Sequence, residues 1–200
     1  MSEKLLDIQN LSVWYKTYRG FAQVVDDISF YVNKGEKVGL VGESGCGKTT
    51  AMKAILRLQE DGNAKVRPGA VISFDGEDVL AMKKAALLTL RRKKISMISQ
   101  SPMAALNPVF TVGEQIEEVV MLHEKVNKGE AAVKARQMLE LVGIPGDRSS
   151  DYPHQFSGGM KQRVVIAMAL ACSPELILAD EPTTALDVTI QAQILDMIKA

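Results

Sequence analysis

The sequence predicts an α/β fold: a buried parallel sheet with helices, an antiparallel β subdomain at the N-terminus, and a helical insertion in the middle. Three observations predict it. Strands such as Leu176–Ala179 are apolar without interruption, the pattern of a strand covered on both faces. Strands and helices alternate along most of the chain. Two glycine-bearing turns run straight into helices, at Gly42–Thr49 and at Ser157–Gly159.

Composition sets the bounds. The chain has 200 residues, with 24 basic and 24 acidic side chains and a net charge of zero. That length permits a sizeable core, and the balanced charge gives no reason to expect a nucleic-acid partner. Two cysteines, Cys46 and Cys172, make no disulfide framework and fit a reducing compartment. The opening residues Met1–Asn10 carry no long apolar run and no small-residue cleavage site, so they are not a secretory signal. No apolar stretch approaches the roughly 20 residues of a membrane helix, so any membrane role is expected to pass through a partner.

The elements follow in order. Leu6, Ile8, Leu11, Val13 and Tyr15 suggest an edge strand. Val24–Val32 reads as a second strand, closed by a turn at Asn33, Lys34 and Gly35. Lys37–Val41 reads as a short apolar strand running into glycines, and Thr49–Leu58 as a helix. Val71–Phe74 is a strand ending at the turn Asp75-Gly76. The basic run Arg91–Lys94 reads as a solvated helix end before the strand Ile95–Ser99. Pro102 and Pro108 break a loop, and two helical stretches follow. In the second, Ala135, Met138, Leu139 and Val142 share a face, and Gly143 and Pro145 end it. The stretch 101–155 is thus expected to be a helical insertion. Gly158–Ala171 is an apolar helix stopped by Pro174, ahead of the strand Leu176–Ala179.

Gly42-Glu43-Ser44-Gly45-Cys46-Gly47-Lys48-Thr49 fits G-x-x-x-x-G-K-[ST]. Glycines let backbone N–H groups curl round phosphate oxygens with no Cβ in the way. The helix that starts there adds the positive end of its dipole. Lys48 can reach the β- and γ-phosphates, and the Thr49 hydroxyl can ligate Mg²⁺. Cys46 fills a free position of the loop, where a small residue suffices. Downstream, Leu176–Ala179 ends in Asp180 and Glu181, and open α/β sheets bind ligands at the carboxyl ends of their strands. Asp180 is placed to hold Mg²⁺, directly or through water. Glu181 is placed to orient and deprotonate an attacking water, although Pro182 makes a turn there in any case.

Phe156-Ser157-Gly158-Gly159-Met160-Lys161-Gln162-Arg163 opens the apolar helix. Ser157 is a natural N-cap. The cap does not explain the two glycines, which weaken a helix by roughly 1 kcal/mol each. They leave a bare helix N-terminus, a second ready-made anion site.

Here the chain resembles the ATP-binding-cassette ATPases. Residues 156–160 are similar to that family's signature, usually LSGGQ, with Phe156 and Met160 departing from the general form. With Lys161-Gln162-Arg163, Ser101-Pro102-Met103, Leu106-Asn107-Pro108 and Val112-Gly113-Glu114-Gln115, the departures resemble the oligopeptide, dipeptide and nickel importer branch. The resemblance spans essentially the whole chain. It implies a P-loop NTPase (RecA-like) core, with residues 1–200 as one cassette and about 101–155 as its helical subdomain.

The resemblance also implies the cofactors ATP and Mg²⁺. Nucleotide contacts would come from Gly42, Glu43, Ser44, Gly45, Cys46, Gly47, Lys48, Thr49 and Thr50, and from Ser157, Gly158 and Gly159. Thr49, Gln100 and Asp180 would lie at the metal. Glu181 and Gln100 would serve hydrolysis, Gln100 as the Q-loop glutamine, though a polar strand terminus explains it equally. Tyr15 matches the aromatic that stacks on adenine, with Trp14 as the alternative. Ala185-Leu186-Asp187 matches the D-loop, and Asp187 could equally cap a helix.

The family's γ-phosphate histidine lies beyond the D-loop. His123 and His154 both precede Asp180, so neither can fill that role, and the branch's C-terminal extension is absent. The chain therefore resembles the N-terminal portion of a longer cassette protein. The implied partners are a second ATPase subunit, identical or paralogous, packed head to tail, and transmembrane permease subunits docked on the insertion. The implied place is the cytoplasmic face of the membrane, peripherally. Two other classes remain at this point: a soluble ATPase of the family acting on DNA or ribosomes, and a non-hydrolysing ATP-binding module.

Overall fold

The computed structural model describes residues 3–61, 63–99, 105–182 and 191. The chain divides into two units, Met1–Leu88 and Thr89–Ala200. Gln100, the Ser101–Met103 segment and Ala185-Leu186-Asp187, to which the sequence assigns roles, lie outside the described residues.

The first unit is an antiparallel sheet accompanied by short helical segments. Strands β1 (Lys4–Thr17) and β2 (Gly20–Asn33) form a long hairpin, closed where Thr17 faces Gly20. β3 (Ala64–Val66) and β4 (Val71–Phe74) pair with successive parts of β1, and β5 (Glu77–Asp78) pairs with β4. The order is β2-β1-β4-β5, with β3 on β1. The opening strand is therefore central rather than an edge. Its alternation of apolar and polar residues suggests one wet face, yet consecutive residues such as Leu5 and Leu6 are both buried. The tight turn between β4 and β5 uses Asp75 and Gly76, both at positive φ, as a two-residue hairpin demands.

Lys37–Val41 is not a strand. It has no ladder partner among the described residues, and Val38, Leu40 and Val41 are 45%, 41% and 98% exposed. An apolar run is only half of a strand, because a ladder also needs a neighbouring backbone to pair with. Helix α1 (Lys48–Ile55) also ends earlier than its apolar pattern suggests. Arg57 takes a left-handed φ of 52°, and its guanidinium donates to the carbonyls of Val79 and Met82 at 3.3 and 2.8 Å. Leu58–Asp61 then forms a 3-10 turn.

A short helix, α2 (Lys84–Thr89), and a wide basic turn, Leu90–Lys94, lead to the second unit's strands. Arg92 and Lys93 are exposed there, as expected of a solvated helix end. β6 (Ile95–Ile98) and β7 (Leu176–Ala179) pair in parallel, Ile95 opposite Leu176 and Ile98 opposite Ala179. Among the described residues, helices α3 (Val112–His123), α4 (Lys128–Leu141) and α5 (Gly158–Leu170) accompany these strands. α3 and α4 each open on a reciprocal cap, Thr111 with Glu114 and Asn127 with Glu130. Hydrogen bonds from Thr111 hold the Glu114 carboxyl below its ordinary range. Ile116, Val120, Ala135, Leu139, Val164 and Ile166 pack with Ile98 into one fully buried core. Gly143, at φ 71°, ends α4 where the sequence places its stop. Among the described residues, no helix is long and apolar enough to cross a membrane.

Candidate functional site

In the first unit the chain folds tightly between Gly42 and Thr49. A Cβ on Gly42 would sit 2.5 Å from Cys46 Sγ, and one on Gly47 would sit 2.7 Å from the Val24 carbonyl oxygen. Gly47 also has φ 100°, so both space and backbone require glycine there. The Cys46 N–H donates to the Glu43 carbonyl at 3.3 Å, closing the turn through Ser44 and Gly45. Lys48 Nζ donates to the carbonyls of Gly42 and Glu43, each at 2.8 Å, and lies 3.7 Å from Cys46 Sγ. The ammonium group thus folds over the loop from which its own helix rises.

Unlike α3 and α4, α1 opens with no side-chain cap and no acidic residue in its first turn. The positive end of its dipole is not offset by a carboxylate of its own first turn and favours an anion. The cradle that a Cβ would fill, the uncapped helix and the ammonium together fit a phosphate. Thr49 is half-buried on the same turn, and Thr50 is buried.

The two aromatics named by the sequence differ in their surroundings. Trp14 packs 6.0 Å from the Phe21 ring, with the Arg67 guanidinium 5.2 Å from its own ring, and among the described residues its buried indole N–H has no acceptor. Tyr15 is half-buried between Ala22 and Ala64 on the neighbouring strands, so small residues flank its ring. It stands two residues from Val13, whose partner Val25 lies 3.1 Å from the would-be Gly47 Cβ. The hairpin therefore carries Tyr15 into the neighbourhood of the phosphate loop.

The second unit carries the carboxylates and the second glycine turn. The Asp180 N–H donates to the Ile98 carbonyl at 2.9 Å, extending the parallel ladder past the end of β7. Asp180 is 4% exposed, whereas Glu181 is exposed and adopts φ 47°. One carboxylate is thus held inside and the next is turned out. Ser157 caps α5, its Oγ accepting from the Met160 N–H at 3.3 Å. A Cβ on Gly158 would meet nothing within 4 Å. Among the described residues, packing therefore does not require that glycine, and Gly159 follows it in the first turn of α5.

Two residues that sequence reasoning passed over shape this unit. Arg148 donates to Asp151 at 2.7 Å and to the Gln155 carbonyl at 3.2 Å, lies 3.7 Å from Met160 Sδ, and sits 4.4 Å above the Phe156 ring. Both departures from the general signature, Phe156 and Met160, touch this one guanidinium. Gln162, on α5, is buried and donates to the Pro182 carbonyl at 2.9 Å. A signal for Gln162 was present: a polar residue on the helix face that also carries Val165, Ile166 and Ala169. Arg148 has no such signal, since an arginine in a polar loop is unremarkable.

The thiols should differ sharply. Cys46 is exposed, whereas burial pushes the Cys172 thiol up to about 11. At pH 8 only about one Cys172 in a thousand is then thiolate, the reactive form. Iodoacetamide is expected to label Cys46 at least about tenfold faster, read by peptide mass spectrometry. Equal labelling of the two would contradict the loop's placement.

Comparison with known proteins shows the family to which this fold belongs. The family model described as ABC transporter matches residues 25–184. The dipeptide transport ATP-binding protein DppD of Bacillus subtilis (strain 168) is 50% identical over 199 residues, covering 98% of this chain and 59% of DppD. The oligopeptide transport ATP-binding protein OppD of the same organism is 48% identical over 198 residues, with 98% and 55% covered. The glutathione import ATP-binding protein GsiA of Pectobacterium atrosepticum is 44% identical, covering 33% of GsiA. The chain thus spans a little over half the length of the first two. Among solved structures, the dimeric post-hydrolysis state of the ATP-binding cassette MJ0796, bound to ADP and Pi, superposes with a TM-score of 0.86 at 28% identity, covering 96% of this chain and 81% of that one.

Proposed function

The chain belongs to the ABC transporter family, and from that membership we propose that it is the ATP-binding, ATP-hydrolysing part of an importer of peptides. The observation that carries the reading is the glycine cradle at an uncapped helix with Lys48 folded over it. The relatives named above serve dipeptides, oligopeptides and glutathione, itself a peptide, which favours a peptide over nickel as the cargo.

On this reading the Lys48 ammonium exchanges the carbonyls of Gly42 and Glu43 for phosphate oxygens, and the first N–H groups of α1 complete the cradle. Tyr15 stacks on the adenine. By the family pattern Thr49, Gln100 and Asp180 would hold Mg²⁺, which when bound neutralises phosphate charge. Glu181 accepts a proton from water as the water oxygen bonds to the γ-phosphorus, and ADP leaves with the electrons of the broken P–O bond. Ser157, Gly158 and Gly159 of a second ATPase subunit, identical or paralogous, cover the γ-phosphate. That cover explains a glycine that packing among the described residues does not require. The pair would sit peripherally at the cytoplasmic face of the membrane, with permease subunits docked on the helical subdomain at about 101–155.

Gly158→Asp tests this directly. The site has room for the side chain, so the variant should fold and bind ADP as the parent does. It should lose ATP turnover by about a hundredfold or more, because a carboxylate would stand where phosphate charge must be received. ADP affinity by calorimetry and ATPase rate in the full-length protein decide it. Unchanged turnover removes the second-subunit role of this turn.

A further inference from the structure

Glu181 adopts φ 47°, a left-handed backbone that residues other than glycine hold only when their surroundings impose it. Two hydrogen bonds bracket it. On one side the Asp180 N–H is tied to the Ile98 carbonyl at 2.9 Å, which the sheet supplies. On the other the Pro182 carbonyl accepts from Gln162 Nε2 at 2.9 Å, which only a side chain supplies. Gln162 is 2% exposed, and among the described residues its buried Oε1 has no hydrogen-bond partner. A buried amide that strands its acceptor is costly to keep where an apolar side chain would pack, so its value lies in the bond its N–H makes.

We propose that Gln162 is the positioning residue for the hydrolytic base: it fixes the Pro182 carbonyl and thereby aims the Glu181 carboxylate. This rests on the reading of Glu181 as base. Gln162 lies on α5, the helix that begins at Ser157, so the base is anchored to the same rigid element that presents the signature turn.

The test uses the full-length protein. Gln162→Met keeps length and burial and removes the donor. It should lower kcat at least about tenfold, as misplacement of a reacting group does. KM for ATP, ADP affinity and the melting midpoint should stay close to the parent's. In a Glu181→Gln background, single-turnover rates should show that Gln162→Met adds less than about a twofold further loss, because a group that acts through the base has nothing left to aim. A parental kcat in Gln162→Met, or the same tenfold loss repeated in the Glu181→Gln background, overturns the proposal. If Glu181→Gln itself turns over normally, the base reading fails first, and the proposal falls with it. Should the Met variant fold poorly, Gln162→Leu removes the donor with a shorter apolar side chain. It should show the same loss of kcat, and parental kcat in that variant also overturns the proposal.

Discussion

Lys48→Ala is expected to weaken ATP binding by about a hundredfold or more. Its Nζ now bonds two loop carbonyls, and these bonds are traded for charge-assisted bonds to phosphate. Each such bond contributes about 1.5–3 kcal/mol, so losing one or two removes on the order of 3 kcal/mol, a factor of about a hundred in Kd. The carbonyls left behind lie in an exposed loop and can turn to water, so the melting temperature should barely move. Calorimetric titration with ATP checks this, and an unchanged affinity would remove the phosphate site from Gly42–Thr49.

Glu181→Gln should leave ATP binding intact and slow hydrolysis by about 10²–10⁴-fold, the contribution of a positioned general base. Glutamine keeps the shape and the exposure of the side chain, and no interior charge is disturbed. Single-turnover hydrolysis in the full-length protein separates the chemical step from product release. A rate within a few fold of the parent would assign the base to another group.

What the sequence reveals is what neighbours in the chain decide. The strands Val71–Phe74 and Leu176–Ala179 lie where their apolar runs place them, and Gly143 stops its helix. The phosphate loop is legible because its chemistry is contained in eight consecutive residues. What pairing decides is not legible. β1 is central because β3 and β4 arrive from far along the chain, and Lys37–Val41 looks like a strand but has no ladder partner among the described residues. The same limit hides Gln162, whose partner Pro182 lies twenty residues on, and Arg148, whose aromatic and sulfur contacts give meaning to Phe156 and Met160. The roles assigned to Gln100 and Asp187 rest on family pattern.

The central claim is that ATP held at the glycine loop of one subunit is covered by the α5 N-terminus of another. Sedimentation velocity of full-length Glu181→Gln, alone and with its partner subunit, measures this in Mg-ATP. The account predicts an ATP-dependent dimer that disappears when Gly158→Asp is added to the same chains. A species that stays monomeric in Mg-ATP, or a dimer that persists with Gly158→Asp, would contradict it.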